Sequence, residues 1–229
     1  MPAHIGIVAC SAEGAALCYR TICLEAGERM GRHHHPEVSM HTHSLGQYMR
    51  CIEAGDWRGV ADLMISSAGK LAAAGADFFV CPDNTIHQAF DLVVARTSRP
   101  WLHIAEEVAA EARRRGHHRL GILGTQYLME GPVYARKLEE LYLEYAIPGK
   151  EQRRRINDII FSELVQGRLT DTSRAFFHQV IRELKDRGCD AVVLGCTEIP
   201  LLVTPHDAPL PTLDSTRLLA RAALRRAIR

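Results

Sequence analysis

The chain has 229 residues, 47% of them apolar, and a formal net charge of +1. That is enough for one large domain or two small lobes, and too little charge to draw nucleic acid or an anionic membrane surface. Seven cysteines in no framework spacing point to free thiols in a reducing compartment, and no run approaches the roughly 20 apolar residues of a membrane span. With an opening run, "HIGIVAC", too short for a signal peptide, the expectation is a cytoplasmic protein that handles small molecules.

Taken in chain order, short apolar runs alternate with long amphipathic ones. Residues 4–9, 77–82, 119–125 and 190–195 are brief, apolar and bounded by Gly, Pro or polar residues, as buried parallel strands are. Residues 56–75 start on an acidic cap candidate and stop on glycine, the chemistry of helix ends. Residues 104–116 and 171–188 carry acid early and base late, in agreement with the helix dipole. Residues 212–227 read as one amphipathic helix that packs back on the first part of the chain. Alternation of this kind predicts an α/β protein with parallel sheets.

The chain also repeats itself. "GADFFVCPDNTIHQ" (75–88) lies without a gap on "GCDAVVLGCTEIPL" (188–201), so that Gly75 meets Gly188, Asp77 meets Asp190 and Asp83 meets Cys196. "HIGIVAC" (4–10) lies on "RLGILGT" (119–125) at nearly the same offset. Duplicated blocks predict two pseudo-symmetric Rossmann-like lobes, residues 1–101 with the C-terminal helix 212–229, and residues 102–208. Ligands of open α/β sheets sit at the carboxyl ends of strands, which places Asp83 and Cys196 on an expected interlobe active-site cleft.

Two acid/base groups on opposite sides of a small molecule suit inversion at carbon. One removes a proton and the other delivers one to the opposite face, in a dry site with hydrogen-bond donors for the developing oxyanion. Asn84, Thr85 and Thr197 supply such donors. The plainer alternatives are that Asp83 caps a helix beginning near Thr85 and that Cys196 is a buried structural thiol.

"VCPDNTIH" and "VVLGCTEIPLL" resemble the two signature loops of the aspartate/glutamate racemase family, which includes hydantoin racemases, maleate isomerases and arylmalonate decarboxylases. The likeness covers essentially the whole chain. It implies two Rossmann-like lobes, no cofactor, a homodimer, and a small carboxylate or amino acid as substrate. By that resemblance Cys196 is one catalytic acid/base and Asn84, Thr85 and Thr197 hold the α-carboxylate. Ser11 and Thr125, at the ends of the paired first strands, are further candidates.

The departures from the family pattern carry information. Relatives with two catalytic thiols have Cys directly before the "NT"; here that residue is Asp83. Cys81 lies two residues away, roughly 6–7 Å along a strand, and reads as a core thiol. The family positions for an Arg and a Lys around a distal carboxylate fall at His41 and Gln166, which points away from a dicarboxylic substrate. A reference Asp titrates near pH 3.9 and a reference Cys near 8.5, so Asp83 needs an apolar setting to act as a base. Five histidines crowd residues 32–43, yet His33, His34 and His35 are consecutive and do not converge on one ion, so no metal is expected. His41 and His43 share one face of an extended segment and are candidate substrate contacts.

The reading is therefore a racemase or epimerase with Asp83 and Cys196 as its pair. The alternatives are a single-cysteine decarboxylase or cis–trans isomerase, and a non-catalytic carboxylate-binding protein.

Overall fold

The apolar run Ile5–Ala9 forms β1, buried along its whole length, as a central strand of a sheet covered on both faces must be. In the computed structural model, which describes residues 1–229, the chain divides into two units, Met1–Ile104 with Thr216–Arg229, and Ala105–Ser215. In the first unit β1 is followed by α1 (Ala12–Met30), β2 (Val38–Thr42), α2 (Leu45–Glu53), α3 (Trp57–Ala73) and β3 (Phe78–Val80). A 3-10 turn at Thr85–Ala89 then leads to α4 (Phe90–Val94) and β4 (Trp101–Leu102). After α5 (Ile104–Arg114), the second unit runs β5 (Arg119–Leu123), α6 (Gln126–Glu130), α7 (Val133–Glu139), β6 (Glu144–Ala146) and α8 (Lys150–Ser162). It continues through a 3-10 turn at Leu164–Gln166 to α9 (Asp171–Asp186), β7 (Ala191–Leu194), α10 (Ile199–Leu202) and β8 (Thr212–Asp214), and α11 (Ser215–Ala227) ends the fold.

The two sheets have the same topology, β2-β1-β3-β4 and β6-β5-β7-β8, with every pairing parallel. The repeat extends to register. In the first sheet Ile5 pairs Phe78 and Ile7 pairs Val80; in the second the residues aligned with them, Leu120 with Ala191 and Ile122 with Val193, are paired too. The duplication in sequence is thus a duplication of backbone hydrogen bonding.

Part of the repeated motif is a bracket that starts each strand pair. Asp77 accepts the backbone N–H of His4 at 2.8 Å and returns its own N–H to the His4 carbonyl. Asp190 accepts the N–H groups of His118 and Arg119 at 2.7 and 3.3 Å and donates to the Arg119 carbonyl. Gly75 and Gly188 precede them at φ 98° and 85°, a left-handed geometry that glycine adopts without a Cβ penalty.

The helices follow from periodicity and caps. In α9 the buried residues Ser173, Phe176, Phe177, Val180, Ile181 and Leu184 recur every three to four positions, and the Thr170 hydroxyl caps the first turn by accepting the Ser173 N–H. Asp56 does the same for α3 through Gly59 N–H. One core joins Phe176, Phe177, Ile181 and Leu184 to Val192 and Leu194 of β7. The other joins Ile5, Ile7, Phe78 and Val80 to Cys18 and Ile22 of α1 and to Leu219, Ala220 and Ala223 of α11.

One expectation from the sequence is corrected and another is made specific. Residues 212–227 are not one helix: Thr212–Asp214 pair with Val192–Leu194 as β8, and the helix begins at Ser215. Pro211 sets this up, since its carbonyl accepts the Val192 N–H at 2.9 Å and draws the following residues onto the sheet. The extended segment at His41 is strand β2, in which His41 pairs Val8.

Candidate functional site

Both candidate acid/base residues stand in the turns that follow matched strands. Asp83 lies three residues past β3 and Cys196 two past β7. In the second unit this turn depends on a close approach. Gly195 donates to the Leu123 carbonyl at 2.7 Å, and a Cβ at Gly195 would lie 2.7 Å from that same oxygen and 2.5 Å from Leu128 Cδ2. Only glycine lets the chain leave β7 so tightly beside β5.

Cys196 is half-buried, and its thiol donates to Glu198 Oε2 at 2.9 Å. The neighbouring Thr197 hydroxyl donates to the same oxygen at 2.8 Å, so one buried carboxylate gathers both side chains. Glu198 was missed in the sequence reading although it stands inside the quoted "LGCTEIPLL"; an acid two residues beyond a candidate thiol was the available signal.

The Asp83 turn is held by its backbone. His87 Nδ1–H donates to the Asp83 carbonyl at 2.8 Å, and His87 Nε2 accepts the Ile104 N–H at 3.2 Å. Those two bonds require the neutral Nδ1-protonated ring. The ring stacks on Phe90 at 5.3 Å, with His103 edge-on at 4.8 Å. Asn84 and Thr85 are buried beside it, and the turn from Thr85 to Ala89 carries no side-chain cap from Asn84.

Cys81 is fully buried, with its sulfur 4.0 Å from the Asp83 carbonyl. Burial first, and the nearby Asp83 charge second, push its thiol well above the ordinary range. It is a core thiol. Tyr48 of α2 is buried: burial above all, then Cys81 and Cys10, with a smaller part from Asp83, push its phenol up, while the Ser67 hydroxyl draws it back.

Ser11 and Thr125 occupy equivalent places, and each is a helix N-cap. Ser11 Oγ accepts the Gly14 N–H at 3.3 Å and Thr125 Oγ1 accepts the Leu128 N–H at 3.2 Å. His41 is turned onto α3, where Nδ1 meets Ser67 Oγ and Nε2 meets Lys70 Nζ, both at 2.9 Å. His43 Nε2 meets Ser66 Oγ at 3.2 Å, and the two imidazoles stand edge-on at 4.9 Å. Burial, followed by the Lys70 charge, lowers the pKa of both rings. Near pH 7 neither ring carries a fixed positive charge. Gln166 is exposed on the 3-10 turn before Gly167. No three His, Cys, Asp or Glu side chains converge in a metal-binding arrangement, and no helix is long and apolar enough to cross a membrane.

Residues 5–223 match the family model described as Asp/Glu/hydantoin racemase. The chain is 24% identical over 161 residues to the broad specificity amino-acid racemase RacX of Bacillus subtilis (strain 168), covering 70% of this chain and 69% of RacX. It is 29% identical over 140 residues to the glutamate racemase of Desulforudis audaxviator (strain MP104C), a match covering 58% of this chain and only 48% of that enzyme. Among solved structures, a candidate Asp/Glu racemase from Yersinia pestis superposes with a TM-score of 0.91 at 32% identity, over 99% of this chain and 100% of that one. The two four-stranded parallel sheets with their flanking helices are the α/β architecture of this group, and the chain belongs to the Asp/Glu/hydantoin racemase family.

Proposed function

We propose that this chain is a cofactor-independent amino-acid racemase or epimerase in which Asp83 and Cys196 exchange protons with opposite faces of one α-carbon. The observation that carries the reading is the matched register of the two sheets: Val80 and Val193 hold the same rung, and the turns beyond them deliver a carboxylate in one unit and a thiol in the other. Family membership supports the same activity class.

The remaining side chains fit the task. Asn84 and Thr85 are buried polar groups suited to an α-carboxylate, and Thr197 would join them by turning its hydroxyl from Glu198 to the substrate. The hydroxyls of Ser11 and Thr125 open helices directly beyond the equivalent strands β1 and β5. His41 and His43 are neutral rings bonded to Ser66, Ser67 and Lys70 of α3, so neither ring takes the place of the family's fixed cation. With Gln166 exposed as well, a second carboxylate on the substrate lacks the two charges that the family pattern provides, so the proposed substrates are amino acids with uncharged side chains. Transfer between side chains needs no metal or organic cofactor.

The test is incubation of the common L- and D-amino acids in deuterated water, read by mass increase and chiral chromatography. Inversion with deuterium at Cα is expected for the parent chain. Asp83→Asn and Cys196→Ser should each lower inversion by roughly 10²- to 10⁴-fold, the usual weight of one positioned acid/base. Cys196→Ser should also keep exchange of the enantiomer that turns its α-hydrogen toward Asp83. Parent-level inversion in both variants would remove the mechanism.

A further inference from the structure

Glu198 is 3% exposed, and a single oxygen of its carboxylate accepts both the Cys196 thiol at 2.9 Å and the Thr197 hydroxyl at 2.8 Å. An ionised carboxylate is an acceptor only. A proton on the sulfur is therefore shared between favourable partners, whereas its loss leaves two anions in contact within a largely buried turn. The charged side chains of α9 nearest in the fold have partners of their own. Arg174 of α9 donates to the Leu202 carbonyl and to Asp171, and His178 faces Asp207 at 3.4 Å. Asp214 ends β8, the strand beside β7, and pairs Leu194.

We propose that Glu198 is a positioning residue that keeps the proton on Cys196, so that in the resting site this thiol is the acid and Asp83 the base. The inference rests on the racemase reading above. In the forward step the Asp83 carboxylate takes the proton from Cα, and the C–H electron pair passes into the enolate. The enolate then forms its new C–H bond on the opposite face with the proton released by the Cys196 S–H bond. Asp83 is left protonated and Cys196 is left as a thiolate against Glu198. Loss of one proton from Asp83 to water, and gain of one by sulfur from water, restores the start. Repulsion between thiolate and carboxylate drives that second transfer. The resting site thus acts on the enantiomer that turns its α-hydrogen toward Asp83.

The test follows the rate of Cys196 alkylation by iodoacetamide against pH, located by peptide mass spectrometry. Tryptic peptide 188–217 also carries Cys189, which is an internal control. In Glu198→Gln, which keeps an acceptor and removes the charge, the Cys196 profile should move down by about one pH unit or more, a tenfold or greater rise in rate at pH 7. The Cys189 profile should stay in place. Glu198→Asp, which withdraws the carboxylate by one methylene, should move the profile the same way by less, and it is the variant to read if the Gln variant does not fold. A Cys196 profile that stays in place or rises in the folded variant overturns the proposal. Alkylation needs no substrate, so this result stands whether or not any amino acid is racemised.

Discussion

His87 Nδ1 lies 2.8 Å from the Asp83 carbonyl oxygen, and its other nitrogen accepts the Ile104 N–H. One neutral ring therefore ties the turn after β3 to the first residue of α5. Replacing His87 by Phe keeps the stacked ring and removes both bonds. It leaves a buried N–H without its acceptor, at a cost of about 1–3 kcal/mol. Urea unfolding should register that loss, and turnover by the folded fraction should fall as well, because the Asp83 backbone is no longer fixed.

The paired aspartates of the repeat separate structural duty from chemical duty. Asp190→Ala deletes the acceptor of two backbone N–H groups and Asp77→Ala the acceptor of one. Both variants should unfold at lower denaturant, by about 0.5–1.5 kcal/mol per bond, with the Asp190 change the larger. Turnover per folded molecule should hold. Loss of turnover without loss of stability would contradict this division.

Two buried thiols in the first unit predict alkaline weakness. Burial pushes Cys18 from 9.0 to about 12 and Cys81 well above 9.0. Above pH 9 the unfolded chain sheds these protons while the folded chain keeps them, so the unfolded state binds fewer protons and stability falls as pH rises. The slope should reach about 1.4 kcal/mol per pH unit for each thiol between its ordinary and its folded value. Unfolding curves from pH 8 to 10.5 should show this slope, and Cys18→Ala and Cys81→Ala should each flatten it.

His41 of β2 and His43 just beyond it predict weakness at the other end. Folding lowers the pKa of His41 and His43 from 6.5, first through burial and then through Lys70. Below pH 6.5 the unfolded chain binds more protons than the folded one, so stability falls with acidification. The thermal midpoint should drop between pH 7 and 5.5, and His41→Gln should reduce the drop. Because both rings are neutral at pH 7, KM for a preferred substrate should show no histidine step between pH 7 and 8. Aspartate and glutamate should be the poorer substrates, by at least tenfold in kcat/KM, a loss of about 1.4 kcal/mol.

What the sequence determined by itself was everything that local pattern and repetition can carry. The buried central strands show as unbroken apolar runs, and helices such as α3 and α9 show in periodicity and caps. The duplication shows in an alignment that the strand register reproduces rung for rung. Tertiary structure decided the rest. Strands β2, β4, β6 and β8 are only two to five residues long and exist because a neighbour offers backbone partners, so no periodicity announces them. The same holds for the side chains: His41 and His43 turn onto α3 because Ser66, Ser67 and Lys70 lie there, and Glu198 meets Cys196 because the chain bends sharply at Gly195. Residue type and spacing name the chemistry available, but which atoms share a proton depends on backbone directions that only the packed sheet supplies.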